Sequence, residues 1–325
     1  MVHKSIWVLV FLAVLGLLFT HGISSSAEKG DYPRKPIKII SAWPGGGGGD
    51  QEIRGISLFL KKYLPVPIVI ENVPGAATKI GLTKAWKSDP DGYTLIYISP
   101  PQPILNEYMS KTEYKTKEFT FIYGYFKRSV ALTVNADTWK TVEEFANAAK
   151  TRTFSIGLSS LGSAAHLNAL GSAKAWGINA HWVPFETGTD AVVQVAGKHL
   201  DAAVTMATTA LPLVRGGKVR ALLMYSENRV EGFEDVPTPA EKGYPISFLY
   251  AIGGIVAPPK TPPHVIKILE EACDKISRDP EFLAWAAKGK YEVVRLLPEE
   301  FKKKILDQYK IVEENMALIK SSEGK

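Results

Sequence analysis

The chain has 325 residues, 46% hydrophobic and 22% charged, a globular composition long enough for two domains, which excludes an intrinsically disordered protein. Lys and Arg number 39 against 33 Asp and Glu, giving +6 with no run of five or six like charges, so no nucleic-acid partner and no polybasic membrane patch are expected. Its single cysteine excludes an internal disulfide and a thiolate zinc cluster.

The first segment bears on the compartment. His3 and Lys4 precede an apolar run over residues 6–19, and Ser24, Ser25, Ser26 and Ala27 follow before Glu28. Charged, apolar and small-residue parts in that order read as a secretory signal peptide over residues 1–27, with Ser25 and Ala27 placed for cleavage before Glu28. The run is shorter than the roughly 18 residues of a membrane span, and a retained anchor is the alternative. The leader holds no cysteine, so a lipoprotein is not expected, and a soluble periplasmic or extracytoplasmic protein follows.

Short apolar runs then alternate with helical periods, the pattern of an α/β chain. A strand is predicted over residues 37–42, then a helix after Asp50 whose Ile53, Ile56, Leu60 and Leu64 share one face. Strands follow at 68–70 and 94–98, the second entered through the turn formers Pro90, Asp91 and Gly92. A second series runs as strand 130–134, helix 142–150, strand 154–156, helix 164–176, strand 181–183, helix 190–196 and strands 202–205 and 219–224. A last strand at 252–256 and helices that include 265–277 and 299–320 complete the chain. No flexible linker separates the halves. Paired crossings at residues 130–133 and 244–250 are therefore predicted, giving a discontinuous first lobe of residues 28–131 plus 248–325 and a second lobe of residues 132–247, with a cleft and a hinge between them.

Three strand-to-helix corners stand out. Trp43-Pro44 precede five successive glycines, Gly45 to Gly49, and then Asp50. Such a run suits backbone that approaches a ligand, and the helix start behind it offers unpaired amides to an anion; a plain strand-helix connection is the alternative. Asp50 reads as the helix N-cap, or as an acceptor for a ligand hydroxyl or amino group. Trp43 either stacks on a ligand or closes the strand end. The second corner, Glu71 to Thr78, reads locally as a Pro-Gly turn with Thr78 as N-cap. The third, Gly157 to His166, places Ser163 as N-cap and leaves the amides of Ala164, Ala165 and His166 near the loop. Amide-rich corners in both halves, at strand ends where α/β sheets bind ligands, would let one acidic ligand bridge them.

Other signals are weaker. His166, His181 and His199 lack metal-ligand spacing, so no metal is expected, and Cys273 shares an apolar face with Ile266, Leu269 and Ile276 as an inert buried thiol. Arg54 reads as a surface ion-pair partner. The glycine run fits a dinucleotide fingerprint poorly, because Asp50 stands where the last glycine belongs. There is no phosphate-binding loop, zinc-protease motif or nucleophile elbow, so neither a cofactor nor an enzyme activity is expected.

Together with further runs spread over about 290 residues, the stretches Trp43 to Asp50, Glu71 to Ala76 and Gly162-Ser163 before His166-Leu167 resemble the Bug family, the extracytoplasmic solute receptors of tripartite tricarboxylate transporters. The resemblance is carried by Tyr32-Pro33-Arg34-Lys35-Pro36-Ile37 and by Trp43 to Asp50, which fit an aromatic-x-x-Gly-Gly-x-x-Asp loop with Trp for the usual Phe. It continues in Glu71-Asn72-Val73-Pro74-Gly75-Ala76, Pro90-Asp91-Gly92-Tyr93-Thr94-Leu95, Gly162-Ser163 before His166-Leu167, Val183-Pro184-Phe185, Gly217 to Leu222, Asp235-Val236-Pro237-Thr238 and Ala257-Pro258-Pro259. It implies an α/β, two-lobed periplasmic binding protein fold of type II-like form, each lobe a sheet covered by helices, with the ligand cleft between lobes. It also implies a binding protein that closes on a small carboxylated solute, an aromatic acid and an amino acid included, and presents it to membrane permease subunits. The implied contacts are Trp43, Gly46, Gly47, Gly48, Gly49, Asp50, Ala76, Ala77, Thr78, Ser99, Ser159, Ser163, Ala164, Ala165 and His166. Two departures bear on the ligand: Gly75-Ala76-Ala77-Thr78 stands where Gly-Ala-Gly-Gly is common, and Glu186-Thr187-Gly188 stands where a cation often follows the Val-Pro-aromatic step. A receptor feeding a membrane sensor kinase and a dinucleotide-dependent oxidoreductase are the alternatives.

Overall fold

Two mixed sheets covered by helices make up the computed structural model, which describes residues 32–323 other than Gly47, Ser160, Gly162 and Glu186. The expected signal peptide lies outside these residues. The first sheet contains β1 (Ile37–Ser41), β2 (Ile68–Asn72), β3 (Thr94–Ile98), β4 (Thr120–Arg128), β10 (Ala251–Ala257) and β11 (Glu292–Leu296), in the order β11-β4-β10-β3-β1-β2. The second contains β5 (Val130–Asn135), β6 (Phe154–Leu158), β7 (Ala180–Pro184), β8 (Ala202–Met206) and β9 (Val219–Tyr225), in the order β7-β6-β8-β5-β9. Central strands are covered on both faces and so read as unbroken apolar runs: Ile37, Ile39 and Ile40 of β1 are fully buried, as are Val130, Ala131 and Val134 of β5.

Each parallel strand leads into a helix. In the first sheet β1, β2 and β3 feed α1 (Gly48–Tyr63), α2 (Lys79–Trp86) and α3 (Gln102–Met109). In the second, α4 (Val142–Ala148) precedes β6, and β6, β7 and β8 feed α5 (Ala164–Trp176), α6 (Gly188–Ala196) and α7 (Ala207–Arg215). Thr141, Ser163 and Thr187 cap α4, α5 and α6 by accepting from the amides of Glu144, His166 and Asp190, each cap contributing about 1 kcal/mol. After β10 come α8 (Pro263–Ser277), α9 (Pro280–Lys288) and α10 (Pro298–Glu323), and α10 packs on both β4 and α5. Cys273 is buried in α8, which pushes its thiol up to about 12. No described helix is long and apolar enough to cross a membrane.

Strand direction determines where the loops gather. β1 is parallel to β2 and β3, and β10 is antiparallel to both β3 and β4, so the C-terminal ends of β1 to β4 share one edge of the first sheet. In the second sheet β8 and β6 run parallel while β5 opposes β8, with Val130 opposite Met206. The start of β5 therefore lies on the edge where β6 and β8 end. Between Arg128, the last residue of β4, and Val130, the first of β5, stands only Ser129. The loop-bearing edges of the two sheets are joined through this residue, and the return from Tyr225 to Ala251 starts and ends on the same edges.

The crossing thus falls at Ser129, ahead of the predicted 130–133, because Val130 and Ala131 already pair with Met206 and Thr205. Ser129 is clamped from both sides. Its amide and hydroxyl donate to the Glu292 carboxylate at 3.2 and 3.1 Å, and its carbonyl accepts from the Ala207 amide at 2.8 Å. Strands β4 and β11 and helices α3 and α7 are additional to the elements expected from the sequence.

Candidate functional site

The first corner is built around Asp50, and its role differs from the expected one. Helix α1 begins at Gly48, so Asp50 is inside the first turn instead of capping it. Its fully buried carboxylate accepts from the Gly46 amide at 2.8 Å, Arg54 Nε at 2.7 Å and Asn72 Nδ2 at 2.6 Å. Burial raises its pKa, but those three donors and the Arg54 charge outweigh it and hold the group at about 2. Asn72 Nδ2 also donates to the Trp43 carbonyl at 3.0 Å, and Asn72 Oδ1 accepts from Arg54 Nη2 at 2.8 Å. The carboxylate is therefore a post that fixes the glycine loop from beneath. Gly46 has φ +82°, a conformation glycine adopts freely, and a Cβ on Gly49 would lie 2.5 Å from the Trp43 ring. Trp43 thus packs over the helix start and tilts against Tyr97 with ring centroids 5.9 Å apart. Gly47 lies outside the described residues, and Gly48 opens α1.

The second corner turns through three successive left-handed residues, Ala76, Ala77 and Thr78, with φ of 47°, 51° and 76°. Side-chain-bearing residues hold this conformation at a cost of about 1–2 kcal/mol each, and such strain collects at functional sites. Asn106 Nδ2 grips the Ala77 carbonyl at 2.7 Å. Thr78 stands at the N-cap position of α2 but makes no capping bond, contrary to expectation, because its backbone is left-handed, with φ 76°, and not in the extended conformation of a capping residue. Its Oγ1 is buried without a partner among the described residues, as is Ser41 Oγ at the end of β1.

Ser99 follows β3 on the same edge and is 7% exposed. Its Oγ accepts from Arg128 Nη2, and Arg128 Nε lies 3.4 Å from Glu52 Oε1. Glu52 Oε2 in turn accepts from Tyr97 Oη at 2.6 Å. Burial opposes the Arg128 charge, but Glu52 and Tyr97 more than restore it. Neither Arg128 nor Asn72 emerged from the sequence as a candidate, since their partners lie far away along the chain.

On the second sheet, Ser159 and Ser163 flank the loop after β6, half-buried, and Ser163 caps α5 as expected. Ala164 and Ala165 are buried in its first turn, and His166 is fully buried, edge-on to Trp182 at 5.5 Å. Burial pushes His166 down to about 4, so it is neutral near pH 7. Thus the described site residues among Trp43 to Asp50, Ala76 to Thr78 and Ser99 gather on one edge of the first sheet, and Ser159, Ser163, Ala164, Ala165 and His166 on the edge of the second that Ser129 joins to it. Helices α1, α2, α3, α5, α6 and α7 all begin on these two edges, directing partial positive charge toward them. Two cavities of about 730 and 670 Å³ lie elsewhere, one between α1, β2 and α9 and one beside β9; neither is lined by Thr78, Ser99 or Ser163. Among the described residues no group of His, Cys, Asp or Glu is placed to hold a metal ion.

Comparison with known proteins agrees with this architecture. The family model described as "Tripartite tricarboxylate transporter family receptor" matches residues 53–322. The protein BugT of Bordetella pertussis is 29% identical over 291 residues, covering 87% of this chain and 89% of its own. Among solved structures, a TctC solute binding protein from Polaromonas superposes with a TM-score of 0.78 at 28% identity, covering 87% of this chain and 99% of the other. The Rhodopseudomonas palustris protein MatC, solved with bound malate, shares the fold with a TM-score of 0.71 at 24% identity over 86% of this chain and all (100%) of its own.

Proposed function

The chain belongs to the receptor family of tripartite tricarboxylate transporters, periplasmic solute-binding proteins, and from that premise we propose that its solute is a small carboxylate, held unchanged between the two sheet edges. In this reading the receptor catalyses no reaction and passes the solute to the membrane subunits of a tripartite permease. The observation that carries the proposal is the pair of orphaned buried hydroxyls, Ser41 Oγ and Thr78 Oγ1, at the strand ends where α1 and α2 begin. Buried polar atoms are nearly always hydrogen-bonded, so unpartnered donors beside helix N-termini suit an anionic guest. Main-chain amides also bind an anion without the desolvation cost of added buried cations. Residues Trp43 to Asp50, Ala76 to Thr78 and Ser99 form one wall in this proposal, and Ser159 to His166 the other.

The test is a thermal-shift and calorimetric screen against mono-, di- and tricarboxylates, amino acids and aromatic acids. A true solute at about 100 times its dissociation constant stabilises the protein by roughly 2.7 kcal/mol. Ala164→Pro removes one amide from the first turn of α5, where proline is tolerated and Ser163 already has the extended conformation that precedes it. Solute affinity falls about tenfold with the fold intact if that amide binds the acid. Unchanged affinity would remove the third corner from the site.

A further inference from the structure

A buried ion pair is a poor device for stability, because removing both charges from water costs about as much as their attraction returns. Arg128 and Glu52 form such a pair on the solute-facing edge of the first sheet, with Arg128 21% and Glu52 1% exposed. Glu52 is fully engaged, one oxygen facing Arg128 and the other accepting from Tyr97. Arg128 is not. Of the five donor hydrogens on a guanidinium, only one on Nη2 is bonded among the described residues, to Ser99; Nε is buried without a hydrogen bond. Ser99, accepting from Arg128, retains its own hydrogen to donate. Arg128 ends β4 and precedes the crossing residue Ser129, so this planar, permanently charged fork stands where the chain passes from one sheet edge to the other.

We propose that Arg128 is the specificity-determining residue of the solute site, selecting acids that carry a second carboxylate: the unused Nη hydrogens of its guanidinium and the Ser99 hydroxyl take one carboxylate, and the amides at the start of α5 take the other. This rests on the carboxylate reading above and names the class of acid within it. Tyr97 and Glu52 act as positioning residues that hold the fork. Gly253 admits Tyr97 to that place, since a Cβ there would lie 1.7 Å from the phenol oxygen.

The test is calorimetric titration of the purified protein with succinate, glutarate and adipate, each against its own half-amide, which keeps size and hydrogen bonding but removes one charge. The wild-type protein binds the best diacid at least about tenfold more tightly than its half-amide, the scale of a charge-assisted hydrogen bond. In the double variant Glu52→Gln/Arg128→Gln, which leaves no unpaired buried charge, that ratio falls to about one. Arg128→Lys, which keeps the charge but not the fork, reduces the ratio several-fold and decides the matter if the double variant does not fold. A wild-type protein that binds both ligands equally, or a variant that keeps the full ratio, overturns the inference and leaves the carboxylate reading standing. Binding of neither acids nor half-amides overturns both.

Discussion

Asn72 and Asp50 are joined by a 2.6 Å hydrogen bond from the Asn72 amide to Oδ1, and the same amide nitrogen reaches the Trp43 carbonyl at 3.0 Å. One side chain at the end of β2 therefore fixes the glycine loop that follows β1. Glycine-rich backbone loses more conformational freedom on ordering than any other, so a loop meant to receive a ligand benefits from being held in place beforehand. Asn72→Ala leaves Asp50 and the Trp43 carbonyl each short of a donor. It costs about 1–3 kcal/mol in denaturant unfolding and weakens solute binding by more than a surface substitution does.

Asp50 itself sets a pH dependence. Its folded pKa of about 2 lies below the ordinary 3.8, so its contribution is complete above pH 3.8 and is lost as pH falls toward 2. Arg54 is half-exposed and partly screened, which brings the contribution to about 1–2 kcal/mol. Arg54→Ala raises the Asp50 pKa in an NMR titration and removes part of the acid sensitivity. An unmoved pKa would show that the Gly46 and Asn72 donors suffice.

The corners were legible in the sequence because their chemistry is local: glycine needs, Pro-Gly turns and Ser or Thr before a helix all lie within a few residues of each other. Ser163 capping His166 is such a case. Asp50 misled because an acid after a glycine run looks like a cap, whereas its partners include Asn72, 22 residues away. Strand β4 carries no strand signature because Phe121 to Phe126 are all buried, so its aromatic run lacks the alternation that marks a half-exposed strand. Arg128 ends this strand, and its partners Glu52 and Ser99 are brought to it only by the order of strands in the sheet.

The left-handed turn offers a substitution that stabilises. Ala77 has φ 51° and is exposed, so glycine relieves backbone strain without removing a packed side chain. Part of the gain is offset by the freer unfolded chain, leaving about 0.5–1 kcal/mol in favour of Ala77→Gly. Urea unfolding measures it. A less stable variant would mean that the turn is not left-handed at this residue in solution.

Glu292 clamps the Ser129 crossing while partly buried, and burial raises its pKa above 4.5 despite the Ser129 bonds. A raised acid pKa stabilises the fold below pH 4.5, and that contribution is lost as pH rises through the folded value. Glu292→Gln keeps an acceptor for the Ser129 amide and removes the buried charge. At neutral pH it is as stable as the wild-type protein or more so, whereas Glu292→Ala strands both Ser129 donors and loses about 1–3 kcal/mol. Unfolding free energies on either side of the Glu292 titration separate the two variants.

His166 gives the opposite signature from the other sheet. Its imidazole is fully buried in the first turn of α5 and its pKa is about 4, below the ordinary 6.5, so the fold favours the neutral ring. Between those values the unfolded chain binds the proton that the native state refuses. Stability is therefore complete above pH 6.5 and declines as pH falls toward 4, by up to about 3 kcal/mol. His166→Gln carries no such titration, and its unfolding free energy is flatter across the window even if lower at neutral pH. The protonated ring would add positive charge behind the amides of α5, so solute affinity changes with pH through this group only once the ring is forced to ionise. A wild-type curve as flat as that of the variant would place the His166 proton in a solvated setting and open the wall of the third corner to water.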